Sequence, residues 1–161
     1  MSITQATLED AQSIAEIVST SNEGVAKQFS ITKSNNPKHP SFYNENWVLS
    51  DFERGEKYFI YRVEGKTVGC VAFERPNAQV GYLNRLSVLP AFRNNEIGKE
   101  LTEYVFNHGK EMAVSEISIG IIAKHTTLKN WYRKLGFIEN GMKEFPHLPF
   151  DVQFMKYEIK C

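Results

Sequence analysis

The stretch Leu86-Ser87-Val88-Leu89-Pro90-Ala91-Phe92-Arg93-Asn94-Asn95-Glu96-Ile97-Gly98-Lys99 joins a predicted strand to a predicted helix. The first turn of a helix has N–H groups without intrahelical partners, so a loop wrapped around that end can bind a phosphate. Arg93 and Lys99 add positive charge, and Gly98 lets a ligand come close to the backbone. An ordinary helix start capped by Asn94 or Asn95 explains this segment equally well.

The elements around this loop predict a βαβ crossover. The strand before it runs from Tyr82 to Leu89 and stops at Pro90. The helix after it has apolar residues on one face from Ile97 to Met112, and the β-branched run from Ile117 to Ile122 follows as a second strand. Two strands connected in this way are parallel, and ligands bind at their carboxyl ends. The loop at Arg93 to Lys99 lies at such an end.

The rest of the chain predicts an α/β (α+β) fold. We expect a strand over Ile3–Thr7, a helix from Leu8 to Val18, irregular chain or short helical pieces over Thr20–Ser41 and a helix over Phe42–Arg54. A hairpin over Tyr58–Glu74, a short helix ending at Gly136 and final strands from Phe137 and over Val152–Ile159 complete the prediction. A length of 161 residues fits a single domain, residues 1–161.

Composition excludes several classes of protein. The 19 Lys and Arg balance the 19 Asp and Glu, so no overall field attracts nucleic acid, and we expect no nucleic-acid partner. No apolar run is long enough to span a bilayer, and no membrane partner is expected. The cysteines, Cys70 and Cys161, form no disulfide framework, and the four His form no metal motif, so we predict no metal and a cytoplasmic protein.

Two motifs together resemble the GNAT superfamily of N-acetyltransferases, and the resemblance covers nearly the whole chain. The family's loop pattern Arg/Gln-x-x-Gly-x-Gly/Ala corresponds to Arg93-Asn94-Asn95-Glu96-Ile97-Gly98. Its later signature, a Tyr four residues before Gly-Phe, corresponds to Tyr132 and Gly136-Phe137. The resemblance implies a mixed, mostly antiparallel sheet of about six to seven strands, with helices on both faces and the crossover at the cofactor site.

What the resemblance implies for function is acetyl transfer from acetyl-CoA to a primary amine of a small-molecule or peptide substrate, by direct attack in a ternary complex. Tyr132 would be the general acid. A homodimer through the last strands is common in the superfamily. The residues that would bind acetyl-CoA or CoA are Leu86, Ser87, Val88, Arg93, Asn94, Asn95, Glu96, Ile97, Gly98, Lys99 and His125.

Three departures from the family pattern leave alternatives open. Glu96 replaces the first loop glycine, and His125 stands where many members have Asn. The carboxylate that many members carry just before Leu86 is missing, so Glu74 becomes the candidate base, with Tyr82 and His147 as further candidates. Arg85 is a candidate ligand for an acidic substrate. A non-catalytic CoA-binding or regulatory module, and more remotely a nucleotide-binding α/β domain, also fit the sequence.

Overall fold

A computed structural model describes residues 2–160, and Met1 and Cys161 lie outside that range. Within it the chain forms seven strands and four α-helices. The strands are β1 Ser2–Gln5, β2 Lys57–Val63, β3 Lys66–Glu74, β4 Val80–Val88, β5 Glu116–Ile122, β6 Ile138–Lys143 and β7 Val152–Glu158. The helices are α1 Ala11–Gln28, α2 Glu45–Glu53, α3 Ile97–Glu111 and α4 Thr126–Lys134.

All seven strands belong to one mixed sheet of order β1-β2-β3-β4-β5-β7-β6. Every neighbouring pair is antiparallel except β4 and β5, which the α3 crossover makes parallel. The predicted fold class and the predicted crossover are therefore confirmed.

The sheet separates two apolar cores because side chains alternate between its faces. In β2, Tyr58 and Ile60 pack against α1 and α2, whereas Phe59 and Tyr61 pack in the core on the α3 side. The short helix α4 contributes Tyr132 to the α3-side core. Helices thus cover both faces, as expected.

Several predicted boundaries were wrong. The first strand ends at Gln5 rather than Thr7, and the first α-helix begins at Ala11 rather than Leu8. The predicted irregular segment from Thr20 is helical as far as Gln28, because α1 continues beyond its apolar face. Tertiary contact supports this extension: the Arg93 guanidinium donates to the Ser21 carbonyl at 2.7 Å. The helix predicted from Phe42 starts only at Glu45, because the Asn44 side chain caps it by accepting from the Trp47 N–H.

Leu101 anchors α3 on the sheet and provides a test of this packing. Its side chain is fully buried, whereas Leu8 is 63% exposed. We expect Leu101→Ala to lower the free energy of unfolding by about 2–5 kcal/mol through the cavity it leaves. Leu8→Ala is the matched control and should change it by less than about 0.5 kcal/mol in urea denaturation. Equal effects of the two substitutions would contradict this packing.

Candidate cofactor and catalytic site

A gap between β4 and β5 defines the candidate site. The two strands pair only at their beginnings, from Val80 with Glu116 to Tyr82 with Ser118. Beyond Tyr82, β4 is paired with β3 alone among the described residues. The main chain of Leu86 to Val88 therefore faces the gap as an open strand edge, which can pair with an extended ligand.

The phosphate-binding loop predicted from sequence lies at the end of β4. Asn94 and Glu96 both have positive φ, 67° and 60°, so the chain turns twice through the left-handed region before α3 begins at Ile97. The left-handed conformation explains why the family pattern has glycine at the position of Glu96, because such a backbone favours glycine. The side chain of Glu96 is exposed.

No side chain caps the start of α3. By contrast, Asn44 caps α2 and His125 caps α4, where its Nδ1 accepts from the Leu128 N–H at 3.4 Å. The N–H groups in the first turn of α3 thus remain available to an anion, and they lie at the end of the open β4 edge. This part of the chain fits a ligand with an extended arm and a phosphate group.

Arg93 and Lys99, the two residues expected to add positive charge to the loop, differ in their surroundings. Lys99 is exposed, whereas Arg93 donates to the Ser21 carbonyl of α1. Gly98 faces the Trp131 ring: a Cβ at this glycine would lie 3.3 Å from that ring and 4.0 Å from Val88. The glycine therefore lets the start of α3 approach α4 closely.

Tyr132 is placed on α4 in the core. It is 5% exposed and packs edge-on against Trp131 and Phe137, with ring centroids 5.0 and 5.2 Å away. Burial raises the pKa of its phenol. This burial keeps the phenol protonated, and no hydrogen bond of its hydroxyl is found within residues 2–160.

His125 precedes α4, after the carboxyl end of β5. Besides capping the helix, its ring lies 5.4 Å from that of Phe29, just beyond the end of α1. Burial lowers the pKa of His125, so the imidazole is neutral when it accepts from Leu128.

The structure gives Arg85 a role different from the one suggested by sequence. Arg85 occupies a bulge of β4 opposite Val71 and has a φ of 51°. Its guanidinium, only 16% exposed, donates to the Glu56 carboxylate, and its Nε donates to the Tyr58 hydroxyl at 2.8 Å. The rings of Tyr43 and Tyr58 lie 5.4 and 5.6 Å away. Arg85 therefore pairs with carboxylates of the protein rather than with a substrate.

The residues that surround Arg85 form a buried charged cluster, which we define as Tyr43, Asp51, Glu56, Tyr58 and Arg85. Asp51 accepts from both tyrosine hydroxyls and lies 3.5 Å from Arg85. Burial opposes its ionisation, but the Arg85 charge and these hydrogen bonds hold the pKa of Asp51 below its usual value. Burial raises the pKa of Glu56.

Sequence reasoning missed Asp51 and Glu56. Asp51 lies in the helix α2 and Glu56 in the short connection to β2, so neither belongs to a motif. The sign available in the sequence was Arg85 itself, since an arginine in an interior strand needs a carboxylate partner. Nothing in the sequence showed which carboxylate it would be.

Glu74, the candidate base, ends β3 and is half-buried. It lies near the charged cluster, since its charge contributes to the raised pKa of Glu56. Its position beside β4 agrees with the predicted role, which stays a prediction.

Residues 2–160 contain no group of three or more His, Cys, Asp or Glu arranged to hold a metal ion. None of the helices described there has the length and apolarity needed to cross a membrane.

The family model of the GNAT acetyltransferases matches residues 21–137. The chain belongs to this family. Acetyl-CoA is the cofactor of GNAT enzymes, and acyl transfer is their reaction class. The open β4 edge and the uncapped start of α3 are thus the parts of this GNAT chain that fit an extended cofactor carrying phosphates.

Several known proteins similar to this GNAT chain are named as acetyltransferases. An amino-acid acetyltransferase of Pseudomonas putida is 26% identical over 92 residues, which are 56% of this chain and 20% of that protein. The chain thus spans about one fifth of the length of that relative.

Solved structures share the fold at low identity. The ribosomal-protein-S18-alanine N-acetyltransferase of Escherichia coli superimposes with a TM-score of 0.78 at 15% identity, covering 99% of this chain and 94% of that one. A Salmonella typhimurium protein solved with its cofactor acetyl-CoA superimposes with a TM-score of 0.72 at 16% identity, covering 100% and 95%.

The buried ion pair of Glu56 with Arg85 provides one test. Glu56→Ala leaves a buried guanidinium poorly paired, so we expect the free energy of unfolding to fall by about 3–5 kcal/mol. Glu139→Ala breaks the exposed pair with Arg133 and should cost less than about 1 kcal/mol. Denaturation in urea measures both. A small loss for Glu56→Ala would show that Asp51 alone is a sufficient partner.

Glu96 provides a test of where the cofactor phosphates lie. Glu96→Gln removes a carboxylate from the loop, and two charges about 4 Å apart in water interact by roughly 1 kcal/mol. We therefore expect the Kd for CoA to fall about fivefold at low ionic strength, and the gain to shrink in salt.

The matched control is Glu64→Gln, at the turn between β2 and β3, where the residue also has a positive φ, of 50°. Calorimetric titration with CoA should give an unchanged Kd for this variant. Equal shifts in the two variants would place the phosphates away from Glu96.

Proposed function

We propose that this protein is an N-acetyltransferase that moves an acetyl group from acetyl-CoA to a primary amine of a small molecule or peptide, by direct attack in a ternary complex. The observation that carries the proposal is the divergence of β4 from β5 directly beside the uncapped start of α3. An open strand edge and free helix-end N–H groups suit the two halves of CoA.

The cofactor would be held mainly by backbone groups. Main-chain groups of Leu86, Ser87 and Val88 would bind the pantetheine arm as an added strand. The amides from Asn94 to Lys99 would bind the pyrophosphate, with Lys99 adding charge. Arg93 would contribute through its backbone, because its guanidinium donates to α1. Bound acetyl-CoA would supply the reactive thioester.

Tyr132 would hold the proton that the departing sulfur requires. A phenol has an ordinary pKa of about 10 and a thiol about 8.5, a difference that corresponds to roughly 2 kcal/mol. Burial raises the pKa of Tyr132. A thiol in the same buried surroundings has its pKa raised for the same reason. Desolvation of both groups therefore leaves the difference between their pKa values small.

The amine must lose its proton before it attacks. At pH 7, deprotonating a lysine-like amine costs about 4.6 kcal/mol, whereas an α-amine with a pKa near 8 costs only about 1.4 kcal/mol. Glu74 is the proposed base, acting directly or through water. Glu56 is less suited, since it accepts from Arg54, Asn84 and Arg85 and its side chain is almost fully buried.

Direct transfer is favoured over an acyl-cysteine intermediate by the state of Cys70. The residue is fully buried in β3, and burial raises the pKa of its thiol to about 12. The thiolate is the nucleophilic form, so Cys70 is a poor acyl carrier.

Two further features complete the proposal. A reducing cytoplasm is consistent with a free Cys70. A homodimer is supported by β6, an edge strand that exposes Ile138 and Met142.

A CoA-binding or regulatory module without activity is the second candidate, and the exposed Glu96 carboxylate in the phosphate loop favours it. Release of CoA thiol from acetyl-CoA with a panel of primary amines distinguishes the two. CoA binding without acetylation of any amine would support the module. A protein that does not bind CoA would contradict both.

For the active protein, we expect Tyr132→Phe to lower kcat by about 10²–10⁴, the usual effect of a general acid. The KM for acetyl-CoA should stay within about twofold. Tyr104→Phe, in α3, loses a hydroxyl from a partly exposed tyrosine and serves as control with unchanged kcat. An unchanged kcat in Tyr132→Phe would show that another group donates the proton to the departing sulfur.

A further inference from the structure

A cavity of about 530 Å³ lies between two loops that reach the same side of the molecule. One wall is formed by residues 36–40, the connection between α1 and α2. The other wall is formed by His147, Leu148 and Phe150, in the connection between β6 and β7.

Both walls are tied to the strands that border the gap. The second loop enters β7 beside the carboxyl end of β5, where Val152 pairs with Ile122 and the Ala123 N–H donates to the Asp151 carbonyl. The first loop leads to Tyr43, whose ring covers Arg85 of β4. The loops that form the cavity are thus connected to the strands that border the gap, on the side of Arg85, whereas Tyr132 belongs to the core on the α3 face.

His39 is a buried polar side chain in the first wall, with only 6% of the residue exposed. Its Nδ1 accepts from the Ser41 N–H at 3.1 Å and lies 2.7 Å from the Ser41 hydroxyl. A ring nitrogen that accepts from a backbone N–H carries no proton, so the proton of the neutral imidazole is on Nε2. Burial also lowers the pKa of His39, which favours this neutral form.

The Nε2–H of His39 is a donor that the protein does not use. No hydrogen bond to it is found within residues 2–160. His108 Nε2 alone is a fully buried side-chain polar atom without a partner in that range, so Nε2 of His39 must be reached by solvent. Since the rest of the residue is buried, the cavity that it lines is the route.

The other lining residues define the ligand's chemistry. Lys38 and His147, both exposed, carry nitrogen groups at the edge of the cavity, and none of the lining residues is acidic. Pro37, Leu148 and Phe150 supply apolar walls. Glu144 and Asp151 line a neighbouring cavity of about 470 Å³, which is formed by the second loop and shares Leu148 and Phe150 with this one. The cavity between the loops thus suits an oxygen anion on an apolar frame and disfavours a second cationic group.

We propose that this cavity binds the carboxylate of the acceptor, with His39 Nε2–H as the buried donor and Lys38 as the charge, so that the acceptor is an amino acid with an apolar side chain. This rests on the proposed acetyltransferase function.

The experiment compares acceptors with and without the carboxylate: leucine, leucinamide and isopentylamine, with the same series for alanine and phenylalanine. Each kcat/KM is expressed per neutral amine, because the three amines differ in pKa. Thiol release should give the highest kcat/KM for the amino acid, then the amide, then the amine. If the amide is acetylated as efficiently as the amino acid, or if the simple amine is preferred, the proposed carboxylate site is overturned.

Two variants of His39 separate its donor from its structural role. In His39→Asn, the short amide can still accept from the Ser41 N–H but has no group at the position of Nε2. In His39→Gln, the amide N–H₂ reaches toward that position. We expect His39→Asn to lower the preference for leucine over isopentylamine by about tenfold to a hundredfold, as expected for one hydrogen bond to a charged group. His39→Gln should restore part of it.

Calorimetric binding of the amino acids to the CoA complex makes the test independent of turnover. Binding that His39→Asn weakens supports the proposal even if no amine is acetylated, in which case only the acetyltransferase function fails. Acetylation of amines without any preference for carboxylates, or no binding of amino acids, overturns the carboxylate site and leaves the rest of the function standing.

Discussion

The ion pair of Arg85 with Glu56 holds the central strand in the shape that the site requires. Arg85 adopts a left-handed backbone conformation inside β4, which costs a non-glycine residue about 1–2 kcal/mol. Its guanidinium is buried between two tyrosines and paired with carboxylates from α2 and from the connection between α2 and β2. These contacts stabilise the bulge, and the bulge lies just before the open edge that faces β5.

The same cluster connects the two sides of the candidate site. Tyr43, which covers Arg85, follows the loop that carries His39, so the wall of the cavity and the bulge of β4 are parts of one packed unit. On the other face of the sheet, Tyr132 lies in the core with α3. The gap between β4 and β5 thus has one core on each side of the sheet, and the proposed cofactor and acceptor would approach it from opposite faces.

The phosphate loop shows how a family motif can change without losing its backbone. Glu96 takes the left-handed conformation that glycine adopts at lower cost, and its side chain is exposed. The first-turn N–H groups of α3 remain uncapped by side chains. Backbone donors do not depend on the side chain at position 96, although its charge still affects a bound anion.

The sequence by itself determined the elements whose signal is local. The apolar periodicity of α3, the β-branched β5 and the glycine and proline boundaries fixed the crossover, and the two motifs pointed to Tyr132 and to the loop from Arg93 to Lys99. The end of α1 was missed because contacts with Arg93, distant in the chain, support it. Only the tertiary structure decided that Arg85 pairs with Glu56, that β4 and β5 diverge after Tyr82, and that His39 lines a cavity beside them. Each of these depends on segments far apart in sequence, and a hydrogen-bond or ion-pair partner is chosen by proximity in the folded chain rather than by local pattern.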